Sequence, residues 1–231
     1  MDRDSGDLPR HAPRFGDSAA TILATEHWSV LGTRSMTWAE ASARTTVFLT
    51  VLSAAVVALA LVADATAFEG AFFTFALVLL PVVLFLGIST FARLVQINAQ
   101  DLYYVLAMNR LRHAYLDLAP ELEPYFTTSH YDDQYGVNMT YSFDDSSKFR
   151  PSLQFMITTP TVVASINSVL LAAGTALAMS RVSGSTGALL TVAGSTFLIS
   201  WILHFLAQLQ HIVRFRRHHV PRFPSGRSIE W

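Results

Sequence analysis

AFFTFALVLLPVVLFLGISTFARLVQINAQDLYYVLAMNRLRHAYLDL, residues 71–118, begins as a wholly apolar run. Beyond Arg93 it turns amphipathic, with no Gly or Pro between Gly87 and Pro120. This predicts one helix that spans a membrane over 71–92 and continues into the cytosol as a long extension.

Composition agrees. Charged residues make up 14% of the 231-residue chain and hydrophobic ones 52%, against about 25% charged in an ordinary soluble domain. Net charge is −1, which disfavours a nucleic-acid partner. Without cysteine there is no disulfide framework, thiolate zinc site or thiol nucleophile. Asp, Glu, Lys and Arg are missing from 45–63, 70–92, 151–180 and 182–213, gaps of 19, 23, 30 and 32 residues. A span needs roughly 20 apolar residues, and a central charge costs about 2.5–3.5 kcal/mol. Four gaps predict four transmembrane helices, arranged as two antiparallel hairpins in an all-α polytopic membrane protein.

Residues 1–17 are polar, lack the apolar core of a signal peptide and are expected to be disordered. Residues 18–31 read as an amphipathic helix with Trp28 at headgroup level or against a neighbouring helix, and Gly32 as its C-cap. Thr37-Trp-Ala-Glu40 has capping-box spacing and is expected to start the first span, 38–63, with Trp38 and Arg44 at the interface. Thr46, Thr50, Ser53, Val57 and Ala60 share one face of it. The second span, 71–92, contains Pro81, which frees the Leu77 carbonyl. Together 18–118 form the amphipathic helix, the first hairpin and the cytosolic extension.

Val95, Leu102, Asn109 and Leu116 recur every seven residues in that extension, a packing seam on which Asn109 sets register or lies at a solvated edge. Pro120 and Pro124 end the helix. The loop 119–152 is acidic and aromatic, and too long to be an idle connection. It is expected to pack on the cytosolic helices or to hold a protein partner through 94–150. His130, Asp132 and Asp133 are the one metal-like grouping, but a solvated acidic loop is the default, so no metal or cofactor is assigned.

The second hairpin occupies 153–213, with spans at 153–179, opening near Pro151, and 186–210. Thr158, Thr161, Ser165, Ser168, Ala172 and Thr175 recur at 3-4-3-4-3 spacing. They form a stripe for helix packing or for lining a pore. Gly184, Gly187, Thr191, Gly194, Leu198 and Trp201 repeat the rhythm, and small residues let backbones approach closely in lipid. The two faces are therefore expected to pair. His204, Gln208 and His211 share a face near the cytosolic end and read as interfacial anchors. The tail 214–231 opens with Arg214, Arg216 and Arg217, a cytoplasmic flank or a site for anionic lipid.

Basic residues from Arg34 to Arg217 flank one side of the spans and Arg181 stands alone on the other. The positive-inside rule puts both termini in the cytoplasm of a plasma, or bacterial inner, membrane. Arg181 is expected to pair with Asp64 or Glu69.

No catalytic constellation is visible, so the chain is read as non-enzymatic. With no ionisable group at mid-membrane, and Asn167 the most polar deep residue, coupled transport is disfavoured. Two readings remain: a self-associating membrane scaffold, or an oligomeric channel lined by the Thr/Ser stripe of span 3 or span 1.

Glu26-His27-Trp28-Ser29-Val30-Leu31, the segment Arg34 to Arg44, Asn109-Arg110-Leu111-Arg112-His113-Ala114-Tyr115-Leu116 and Pro120-Glu121-Leu122-Glu123-Pro124-Tyr125 resemble a group of uncharacterised four-span membrane proteins of actinobacteria. The likeness covers most of residues 19–220 and implies the four-span fold without an activity. The layout of the first half is also similar to the two-span SLATT effector modules, which implies a pore-type role and assigns no residues.

Overall fold

The structure is a computed structural model that describes residues 18–141, 158–182 and 185–227. The expectations for the N-terminal tail, for 142–157 including the opening of span 3 at Pro151, and for Gly184 lie outside these residues. So do the side chains of Arg216 and Arg217.

Among the described residues the chain is all-helical, without strands. Four helices are long and apolar enough to cross a membrane, the pattern of a multi-pass membrane protein. They are α1, Ala19–Thr66, α2, Gly70–Leu118, α4, Thr159–Ser180, and α5, Thr186–His218; a 3-10 turn, Pro120–Tyr125, and a short α3, Gln134–Thr140, lie between α2 and α4.

α1 runs unbroken for 48 residues, which corrects the expected stop at Gly32 and restart at Thr37. A glycine inside a helix costs only about 0.5–1 kcal/mol relative to Ala, and the flanking residues carry no proline. The capping box does not form because Glu40 has stronger partners. Arg93 grips it with two parallel bonds, Nε to Oε1 at 2.8 Å and Nη2 to Oε2 at 2.7 Å. Arg44 Nε adds a third at 2.8 Å. Such fork-on-fork pairs fix orientation as well as distance. Nearby, Trp38 Nε1 donates to Asp101 Oδ1 at 2.9 Å.

The turn from α1 to α2 uses no glycine until Gly70. Ala67 and Phe68 take left-handed φ of 47° and 60°, and the Phe68 amide closes on the Ala63 carbonyl at 3.2 Å. This Schellman-type closure satisfies an orphan carbonyl of α1, and Phe68 packs edge-on against Phe72. α2 carries Pro81 within it and stops at Leu118, ahead of Pro120, as expected.

The described residues form two compact units. One, the membrane unit, comprises 35–101, 158–182 and 185–219. Its core joins Phe48 and Ala55 of α1, Val83, Phe91 and Ile97 of α2, and Val163 and Ala164 of α4. The other, the polar unit, comprises 18–34, 102–141 and 220–227.

Candidate functional site

The polar unit is assembled around Asn109. It is fully buried, and an amide has two N–H donors and an oxygen with two lone pairs. All four are used. Nδ2 donates to the Tyr131 carbonyl at 2.8 Å and the Gly136 carbonyl at 3.2 Å. Oδ1 accepts from Arg112 Nη1 and Thr140 Oγ1, both at 2.9 Å. Asn109 is thus neither a register device nor a solvated edge: it fastens the segment 131–140 onto α2. Tyr115 ties in α1, its hydroxyl donating to the Leu23 carbonyl at 3.0 Å with His27 stacked on its ring.

On this platform Asp132 and Asp133 hold the C-terminal segment 222–227. Asp132 is fully buried. Its Oδ1 accepts from the Phe223 amide at 2.7 Å, and its Oδ2 from the Arg222 amide at 3.0 Å and Arg110 Nε at 2.7 Å. Its own amide donates to the Phe223 carbonyl at 3.2 Å. Asp133 caps α3 with Oδ1, accepting from the Gly136 amide at 2.8 Å. Its Oδ2 takes both the amide and the hydroxyl of Ser225 at 2.6 Å. The Phe223 ring stacks on His113, centroids 4.0 Å apart. Arg227 lies over the Tyr135 ring and donates to its hydroxyl at 2.7 Å. The arrangement holds the segment 222–227 by its backbone amides, the Phe223 ring, the Ser225 hydroxyl and the Arg227 guanidinium, with bends at 222–223 and 226 and Gly226 at φ 72°. Of the metal-like trio of the sequence, Asp132 and Asp133 are spent on amides, a hydroxyl and a guanidinium, while the His130 ring lies against Tyr131 and near His113; no cluster of three or more metal-ligating side chains occurs among the described residues.

Histidines surround this clasp. Burial pushes His27 down, with Arg112 adding to it. Burial first and then His113 push His130 down, against a raising pull from Glu123. Burial pushes Asp132 up, but the Arg222 and Phe223 amides together with Arg110 more than reverse this, leaving it below its ordinary value. A lowered histidine is neutral in the folded unit and takes its proton more readily when unfolded. Its contribution is complete above the ordinary 6.5 and shrinks as pH falls through the folded value. Asp132 acts in the same sense only below 3.8. The unfolding midpoint of the polar unit should therefore fall between pH 7.5 and 5.5, and His130→Gln should flatten that slope. A pH-independent midpoint over this range rules the linkage out.

In the membrane unit the hydroxyl stripe of α4 faces α5. Thr161 Oγ1 donates to Gln208 Oε1 at 3.2 Å, and Gln208 Nε2 to Thr158 Oγ1 at 3.2 Å. Trp201 Nε1 donates to Ser165 Oγ at 3.2 Å, and the hydroxyls of Ser168 and Ser200 are 3.1 Å apart. Ala172 is buried and Thr175 half-buried. The space among Thr161, Ala164, Trp201, Phe205 and Gln208 has no room for a water molecule.

The pairing expected of α5 is corrected: Gly187, Thr191, Gly194 and Leu198 face outward, and among the described members of that row only Trp201 meets the stripe. A Cβ at Gly194 would touch nothing within 4 Å. Polar groups in an apolar surround must find partners, and the row Ser200, His204, Gln208 offers them where the glycine row does not. That row was legible as a four-residue repeat, but His204 and Gln208 read as anchors with His211. His204 instead bonds through Nδ1 to the Ser200 carbonyl at 2.8 Å and meets the Phe91 ring edge-on. Arg181 lies over the Phe73 ring, 4.5 Å from its centroid, rather than against Asp64 or Glu69. Arg214 is exposed at the end of α5.

No family model, no curated protein and no solved structure matches this chain.

Proposed function

We propose that the protein is a self-associating membrane scaffold. Four spans anchor it in the plasma membrane, with both termini on the cytoplasmic side, and the polar unit is its recognition element. An even number of spans puts both ends on one side, and the arginine distribution makes that side the cytoplasm. One observation carries the scaffold over a pore through span 3: the hydroxyls of Thr158, Thr161, Ser165 and Ser168 are bonded within the chain or to α5. A conducting lining must offer its polar groups to ions and water. Self-association is supported by the outward row Gly187, Thr191 and Gly194, which permits close approach of a second helix in lipid. The exposed Arg214 with Arg216 and Arg217 suits anionic headgroups.

A second reading has one observation in its favour. Thr46, Thr50 and Ser53 of α1 are exposed, each hydroxyl bonded back to its own helix at 2.9 Å but not to another helix, and in an oligomer that row would line a pore. The chain has no cysteine, so single cysteines at Ser165, Ser168, Thr50 and Ser53 decide between the readings. The scaffold predicts that none reacts with a membrane-impermeant polar thiol reagent in vesicles. Labelling at Thr50 and Ser53 alone transfers the assignment to a span-1 pore, and labelling at Ser165 and Ser168 to a span-3 pore.

A further inference from the structure

We propose that the outward face of α1 is a surface on which two copies of this chain pair, α1 against α1 and parallel. This rests on the self-association proposed above and names a surface and a geometry for it.

In the membrane unit, Met36, Ala43, Thr50 and Val57 recur every seven residues of α1, with Thr46, Ser53 and Ala60 between them, and all are exposed. Positions at alternating spacings of 3 and 4 share one face of a helix, and a strict seven-residue repeat is the seam of a two-helix supercoil. The opposite face has the same repeat and is already taken: Ala41, Phe48 and Ala55 lie in the core of the unit. α1 therefore carries two seams, and its own chain fills one.

The composition of the open seam suits a partner helix. Its hydroxyls are already spent, since Thr46, Thr50 and Ser53 each donate to the carbonyl four residues back at 2.9 Å. Covering them strands no donor, and small side chains let a second backbone come close in lipid. Toward the N-terminus lipid is not the cover. Arg34, Glu40 and Arg44 keep that end of α1 outside the hydrocarbon, yet Met36 is 75% exposed. In the polar unit the seam positions of the same unbroken helix are Ile22, which is 65% exposed, Thr25, Ser29 and Gly32. A glycine inside a helix is unfavourable unless a backbone must approach it closely. Gly32 ends no helix, and a Cβ there would meet nothing within 4 Å, so nothing in its own chain uses it.

A second copy is the occupant that matches this face. From Ile22 to Ala60 no seam position carries a charge, over about 58 Å of helix that begins in water and ends in lipid. Another α1 has that pattern by construction, because each seam residue then faces its own counterpart across a twofold axis. All copies thread the membrane in one direction, so the pair is parallel. A strip of that length and about 10 Å wide covers about 600 Å² per copy and about 1,200 Å² in all, the size at which specific interfaces begin.

The chain has no cysteine, which supplies the test. Single cysteines replace Ser29, Thr46, Thr50, Ser53 or Val57 on the seam, or Val51 or Leu52 as controls, and the full-length proteins are oxidised in native membranes. A disulfide closes only when Cβ atoms come within about 3.5–4.5 Å, so the seam positions should give roughly tenfold more crosslinked dimer than the controls. Val51 is itself exposed, and random collision of copies would crosslink it as readily as Thr50. Equal crosslinking at seam and control positions, or none on the seam, overturns the α1 pairing. So does reaction of the Thr50→Cys or Ser53→Cys thiol with a membrane-impermeant polar reagent, since such a thiol faces water rather than a helix. Ser53→Phe with Ala60→Phe, two exposed positions outside the chain's own core, should lower the assembly mass in detergent to about half, one copy of each pair being lost. An assembly that keeps its mass in this variant overturns the α1 pairing and leaves self-association standing on the outward row of α5. A wild-type chain that is itself monomeric overturns both.

Discussion

Gly136→Ala should unfold the receiving loop of the polar unit and leave the membrane helices in place. A Cβ on Gly136 would collide with the Tyr131 carbonyl oxygen and come within 2.6 Å of its carbon. These are backbone atoms, so no rotamer change relieves the clash. The Tyr131 carbonyl cannot retreat freely either, because Asn109 Nδ2 holds it at 2.8 Å. The same amide holds the Gly136 carbonyl. Moving either end leaves a buried donor without an acceptor, which costs about 1–3 kcal/mol, and the overpacking itself adds about 1–3 kcal/mol. The sum, about 2–6 kcal/mol, is a large share of the stability of a small unit. Hydrogen exchange should show protection lost over 131–141 and kept over 71–92. Wild-type protection at 131–141 would mean that the loop has another way to accommodate a methyl group. Asn109→Ala should give the same exchange pattern through the same bonds.

The fold was legible in the sequence because its signals were long. Four uncharged runs, Pro120 after Leu118 and the unbroken pattern through Arg93 each pointed to one outcome, and the helices follow them. What the sequence hid was long-range. Glu40 lies three residues after Thr37, and nothing local tells a capping glutamate from one reserved for Arg93, 53 positions away. The pairing of the second hairpin was misread for a related reason. Glycine spacing is a loud pattern, whereas Ser200, His204 and Gln208 make a quiet one. Satisfying hydroxyls inside an apolar surround outweighs the closer approach glycine permits. Asp132 and Asp133 stand out in the sequence, with His130, as a metal-like grouping. Their partners are backbone amides 90 positions later, and amides leave no mark in a sequence.

The same logic gives the sharpest expectation for the membrane unit. Asn167 is fully buried, and neither of its amide atoms has a hydrogen-bond partner. Its oxygen rests against Gly87 of α2, and a Cβ there would collide with it and come within 2.9 Å of the Phe48 ring. Gly87 therefore permits α1, α2 and α4 to share one close contact, with a weak Cα–H donor as the best partner the amide can have. Gly87→Ala should destabilise by about 1–3 kcal/mol, as overpacking of a tight core does. Asn167→Ala removes the obstructing oxygen together with a desolvated, unpartnered amide. It should be neutral or stabilising by about 1–2 kcal/mol, since burying an unpaired amide carries a cost of that order. The double variant should recover most of what Gly87→Ala loses, because the alanine at 167 vacates the space the new methyl needs, with only the Phe48 ring left to adjust. Thermal unfolding in detergent of the four proteins of this cycle measures the coupling directly. Strict additivity would show that the two residues do not meet, and a strongly destabilised Asn167→Ala would show that the amide has a partner worth keeping.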